Sequence, residues 1–196
     1  MSFRPPLRVS VTRHEEKERK LKDFLAHHIT GTQTGSGATP NTHLLIVARS
    51  LTSPIVMAIT GLSQEIARAG LAVRLILAQL DAAPSPEDWG RSIAFGFEIR
   101  WAKHPRLIEA HEQLVIGPHT CWIGDCMRRD PAKCDAYESF VEDCGEAAGC
   151  ATVSFERLWG ASQQLADSRS REGALAAPGP MPPVEAASQA TVGTRH

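Results

Sequence analysis

The chain has 196 residues, 42% of them hydrophobic, enough for one domain with a sizeable core. Its 21 Lys and Arg against 22 Asp and Glu leave a formal charge of −1, so no general field draws it to nucleic acid or to an anionic membrane. No run approaches about eighteen apolar residues and the opening MSFRPPLRVSVTRHEEKERK has no apolar segment of signal-peptide length, so neither a membrane span nor a leader is expected.

Residues 1–12 are short and Pro-containing and read as a loose N-terminus. HEEKERKLKDFLAHHI (14–29) carries Leu21, Phe24, Leu25 and His28 at helical spacing. Its mixed charges are explained by pairing four residues apart, and His27-His28 flanks the apolar face. GTQTGSGATPNT (31–42) is a glycine-rich loop without the Gly-Lys-Ser/Thr ending of a nucleotide P-loop. HLLIVA (43–48) then reads as a buried strand.

The next helix has a marked start and stop. Ser53 suits the cap, Pro54 the first helical position and Gly70 the end, while Ile55, Ile59, Leu62 and Ile66 form one stripe. LAVRLILAQL (71–80) follows as a second buried strand. Strand, helix and strand with short connections form a βαβ unit, which implies a parallel pair covered by helices. FEIRW (97–101) is a further strand after the loop containing APSPEDWG. EQLVIG and TCWIGD form a hairpin around Pro118-His119. DAYESFVEDCGEAAGCATVSFERLWGAS (135–162) reads as helix with a break near Gly145 to Gly149. From Ala166 the chain is rich in Ala, Pro, Gly and Ser and reads as a disordered tail, 166–196, because it cannot bury enough surface to offset its ordering entropy. The expected organisation is one α/β domain over 13–165, a mixed, mostly parallel sheet flanked by helices.

Three stretches resemble the phospholipase D superfamily, together spanning roughly 41 to 162. HLLIVARSLTSPIVMAITGLSQEIARAGLAVRLILA resembles its opening strand–helix–strand, including the approach Ala67-x-x-Gly70-x-x-Val73-Arg74. HEQLVIGPHTCWIGD (111–125) resembles its catalytic hairpin. FERLWGAS (155–162) resembles the helix that closes such a domain. The family's hairpin carries His-x-Lys, four residues, then Asp, with Gly-Ser or Gly-Asn ending the second strand. The resemblance implies a histidine that attacks phosphorus, a lysine that binds the phosphate and an acid that orients the chemistry.

Carried onto this chain, His111 matches the nucleophile. The lysine position holds Gln113, the acidic position falls on Pro118, and the terminal pair is Gly124-Asp125. Gln113 can donate a hydrogen bond but brings no charge. Asp125 adds an anion where a phosphate would sit. Arg128 and Arg129, in the basic stretch MRRDPAK, are candidate replacements for the missing charge, and the same stretch also reads as a solvated loop. The family builds each active site from two motifs; this chain has one, so catalysis would require a homodimer.

The expected function is therefore a non-catalytic domain acting as a binding or scaffold protein in a bacterial-type cytoplasm. His111, Gln113, Asp125 and Arg128 form the expected site, and a phosphate-containing ligand suits it. The competing reading is a phosphodiesterase or phosphatidyl-transfer enzyme acting as a homodimer with His111 as nucleophile. A third reading uses the thiols. His119, Cys121, Cys126 and Cys134 lie close in sequence, but their spacings match no common zinc pattern and no Cys-x-x-Cys occurs. HEQLV is not His-Glu-x-x-His, because position 115 is Val. Cys121, Cys126, Cys134, Cys144 and Cys150 are an odd set without an export signal, as expected of reduced cytoplasmic thiols. No cofactor and no metal is called for, and the sequence names no partner.

Overall fold

The computed structural model describes residues 7–11, 13–34, 43–78, 96–102, 110–128 and 136–164. The strands are β1 (Leu7–Val11), β2 (His43–Ala48), β3 (Ala72–Leu77), β4 (Glu98–Trp101), β5 (His111–Ile116), β6 (Thr120–Cys126), β7 (Ala136–Val141) and the two-residue β8 (Gln163–Gln164). The helices are α1 (His14–Thr34), α2 (Pro54–Gly61), α3 (Ser63–Arg68) and α4 (Gly145–Ala161). The strands form one sheet in the order β1-β7-β6-β5-β2-β3-β4-β8.

The βαβ expectation holds: β2 and β3 are parallel, with Leu44 opposite Val73 and Val47 opposite Ile76. β3 and β4 are parallel too. The expectation of a mostly parallel sheet fails. The pairings β1–β7, β7–β6, β6–β5, β5–β2 and β4–β8 are all antiparallel. The hairpin explains part of this, because a tight turn can join only antiparallel strands. The sheet remains mixed, and helices cover both faces.

Three further expectations need correction. Residues 7–11, read as part of a loose N-terminus, form an edge strand paired with β7. The proposed long helix over 135–162 begins only at Gly145, and Ala136–Val141 is strand β7. The helix after Ser53 divides at Leu62 into α2 and α3. Ser53 occupies the cap position, but its hydroxyl accepts a hydrogen bond from the Ser50 amide at 3.1 Å rather than one from the helix. Gly70 ends α3 with φ +67°, as its sequence position suggested. Residues 35–42, 83–90 and the tail from Ala166 lie outside the described residues, as do Arg129 and Cys134.

Alternation along the strands sorts the core into two layers. Leu44, Ile46, Val73, Leu75, Leu114, Ile116 and Trp122 pack with Leu21 and Leu25 of α1 and Ile55 and Ile59 of α2. Leu45, Val47, Ile76, Val115 and Cys121 pack with Ala148, Ala151, Phe155 and Trp159 of α4. Burial of β2 on both faces accounts for its unbroken apolar run. α4 is secured at its far end by two arginines whose guanidinium carbons lie 4.2 Å (Arg74) and 4.4 Å (Arg100) from the Trp159 ring centre. Arg74 also pairs with Glu156 at 2.6 Å. That gives the FERLWGAS stretch a physical role.

The β5–β6 pairing contains a bulge. Gln113 lies opposite Ile123, yet His111 lies opposite Cys126, so Gly124 and Asp125 together oppose Glu112. Gly124 is required by close approach: a Cβ there would lie 2.5 Å from the buried Trp122 ring. We expect Gly124→Ala to lower the unfolding free energy by about 1–3 kcal/mol through overpacking. A denaturant titration with unchanged midpoint would show that the ring yields freely.

Candidate functional site

His111 is the first residue of β5 and is exposed. Its Nδ1 lies 2.8 Å from the carbonyl oxygen of Gly124. A carbonyl only accepts, so Nδ1 carries the hydrogen and Nε2 of the neutral ring carries the lone pair. The bulge therefore orients His111, since it brings the Gly124 carbonyl within reach.

Gln113 shares the α4 side of the sheet with Val115. It is buried, and its Nε2 donates to the carbonyl oxygen of Ala151 in α4 at 3.3 Å. The position where the resemblance expects a phosphate-binding lysine is thus occupied by a neutral amide engaged in packing. Pro118 sits in the turn, with His119 exposed beside it, at the opposite end of β5 from His111.

Between His111 and Gln113, Glu112 lies on the opposite side and is buried. Its Oε2 is 3.4 Å from Lys17 Nζ, and its Oε1 accepts the backbone N–H of Arg49 at 3.2 Å. Lys17 also pairs with Glu138 Oε1 at 2.9 Å and lies 5.3 Å from the centre of the Trp122 ring. Glu138, 1% exposed, has an Oε2 with no hydrogen-bond partner among the described residues. Asp125 acts electrostatically on both Lys17 and Glu138. The bulge accordingly joins Asp125 to the Lys17 cluster. Arg128 follows β6, exposed, two residues beyond Cys126, which opposes His111.

The cluster holds one cation for several carboxylates. Desolvation lowers the Lys17 pKa, but Glu112, Glu138 and Asp125 outweigh it and the net direction is up. Burial raises the Glu138 carboxyl, with Lys17 opposing and Asp125 and Glu112 reinforcing.

Sequence reading missed this cluster. Its members stand at 17, 112, 125 and 138, and no local spacing connects them. AYESFV, the segment that holds Glu138, carries no clean alternation that would have marked the glutamate as buried.

Among the described residues, His119, Cys121 and Cys126 do not assemble into one site. Cys121 is buried against the α4 layer, and burial together with nearby Cys144 pushes its pKa up to about 11. Cys126 ends β6 while His119 precedes its start, a separation of roughly 20 Å for a strand of this length. Among the described residues no three His, Cys, Asp or Glu side chains are grouped to hold a metal ion.

The raised Glu138 pKa carries a definite sign. Its stabilising contribution is complete below the ordinary value of 4.5 and is lost as pH rises through the higher folded value. Lys17, raised above 10.5, loses its contribution only in strong alkali. We therefore expect the unfolding free energy to be lower at neutral pH than at about pH 4.5, and Glu138→Gln to flatten that slope. Urea titrations at the two pH values, giving parallel changes in wild type and variant, would refute the assignment to Glu138.

No protein-family model and no curated protein matches the sequence. Solved structures do match. Nuc from Salmonella typhimurium, a phospholipase D family member, superimposes with a TM-score of 0.54 at 12% identity over 82% of this chain and 98% of that one. NucT from Helicobacter pylori gives a TM-score of 0.51 at 12% identity, over 82% and 99%. TrmBL2, an archaeal chromatin protein with a novel mode of DNA binding, gives 0.52 at 12% identity; 83% of this chain is covered, and this chain spans 55% of that one. Among the described residues no helix is long and apolar enough to cross a membrane. The sheet order, the helices on both faces and these superpositions agree: the chain has the phospholipase D-like fold.

Proposed function

We propose that this chain is a non-catalytic phospholipase D-like domain that acts by binding, as a ligand-holding or scaffold protein of the cytoplasm. The observation that carries the reading is the state of Gln113. A phosphodiester transition state gathers negative charge, and losing one preorganised stabilising group costs on the order of 3 kcal/mol or more, roughly a hundredfold in rate. Here the lysine position is a neutral amide, buried and bonded to the Ala151 carbonyl. It turns toward a ligand only by giving up that hydrogen bond. The five cysteines are an odd set, in keeping with reduced thiols of a reducing compartment.

One observation favours a second reading, a phosphodiesterase acting as a homodimer. The Gly124 carbonyl fixes the His111 tautomer that leaves Nε2 nucleophilic, and the ring is exposed. A working site would still need a cation beside it and a second motif from a partner copy.

Hydrolysis of bis-p-nitrophenyl phosphate by wild type and His111→Ala, at equal concentration, decides between them. We expect no turnover above the variant's background. Turnover that disappears in His111→Ala would overturn the binding reading and establish the enzyme.

A further inference from the structure

Helix α4 lays Ala148, Ala151, Phe155 and Trp159 against the sheet and turns its opposite side outward. That outer side carries a shallow groove running from Gly145 to Leu158. Glu146, Gly149, Cys150, Val153, Ser154 and Arg157 line it, and all six are exposed. Val153 is 52% exposed, one of two large apolar side chains so placed among the described residues. A reduced cysteine behaves as a small hydrophobe, so Cys150 and Val153 give the groove an apolar middle. Glu146 stands toward its N-terminal end and Arg157 toward its C-terminal end. Among the described residues neither is engaged in an ion pair.

Glycine in a helix interior is destabilising relative to alanine. A Cβ at Gly149 would meet nothing within 4 Å among the described residues, whereas one at Gly145 would lie 3.1 Å from the His119 ring. Packing within the chain therefore accounts for Gly145 and leaves Gly149 without a reason. A side chain missing from an exposed helix position is what the close approach of a second helix requires.

The order of the lining residues matches a second copy of the same helix. Counted outward from the midpoint between Ala151 and Thr152, Cys150 and Val153 stand at equal distance on either side. Gly149 and Ser154 come next, then Glu146 and Arg157. An antiparallel two-fold pairing about that midpoint sets each residue beside the other member of its pair. The apolar Cys150 of one copy meets Val153 of the second. Glu146 meets Arg157 at both ends, so each charge gains a partner. Gly149 meets Ser154, and two small residues let the helix axes come within about 8 Å. A two-fold interface needs this self-complementarity, in which residue i meets j while j meets i. The helix dipoles oppose one another in the same arrangement, each N-terminus beside the other C-terminus.

We infer that the outer face of α4 is a homodimer interface, on which α4 of a second copy of this chain packs antiparallel. Two α4 helices, each about 10 Å across, then lie between the two sheets. The pairing therefore differs from the dimer that a shared catalytic site would need, and it rests on neither reading of His111. One helix face is at the small end of specific interfaces, so the dimer is expected to dissociate in the micromolar range.

Sedimentation equilibrium of the full-length protein, under reducing conditions from micromolar to submillimolar concentration, is the test. A reversible monomer–dimer equilibrium is expected. Glu146→Arg or Arg157→Glu sets like charges together at both ends and is expected to weaken dimerisation roughly tenfold or more, while the double variant restores it. Gly149→Leu raises helix propensity and its Cβ meets nothing in its own chain, so it is expected to fold and to abolish the dimer by holding the helices apart. A monomer at every concentration overturns the inference. So does a dimer that Gly149→Leu leaves intact, or one that the double charge reversal fails to restore, since either places the contact elsewhere. Circular dichroism of each variant separates lost association from lost folding, and Gly149→Leu decides the matter where a charge variant does not fold.

Discussion

Lys17 is the ion on which the motif strand depends. It reaches from α1 into a buried space beneath β5, β6 and β7 and neutralises part of the charge of Glu112 and Glu138. Removing one partner of a buried ion pair strands the other charge in a medium that solvates it poorly, at a cost of about 3–5 kcal/mol. The buried Trp122 ring beside the ammonium adds a cation–π contact. Through Glu112 the same cluster holds the Arg49 backbone, so α1, β2, β5 and β7 are tied at one point.

The consequences for the candidate site follow from strand alternation and one bulge. Glu112 faces α1 while Gln113 faces α4, where its amide donates to the Ala151 carbonyl. The extra residue on β6 brings the Gly124 carbonyl to His111 and leaves Asp125 opposite Glu112. A glycine is needed there because Trp122 fills the volume a side chain would take. The histidine is consequently well oriented although its neighbour in the motif has been absorbed into packing.

Much of the architecture was legible. The run HLLIVA, the proline and glycine bracketing the next helices, and the hairpin residues on either side of Pro118-His119 specify their elements through local rules. LRVSV alternates apolar and polar residues as an edge strand does, but its proline-containing surroundings masked the signal. AYESFV reads as part of the helix that follows it, although it forms strand β7 and buries Glu138. Only a cation 121 positions earlier makes that burial tolerable, and the pair itself is visible only in three dimensions.

The sequence by itself determined the helix of residues 14–29, the central strands, the βαβ unit, the hairpin and the histidine that opens it, because each follows from spacing over a few residues. The tertiary structure decided the antiparallel majority of the sheet, the use of the Gln113 amide and the company kept by Asp125. Those depend on register between strands far apart in the chain. A single-residue shift of register, or one bulge, changes which side chains share a face, and nothing in local spacing records it.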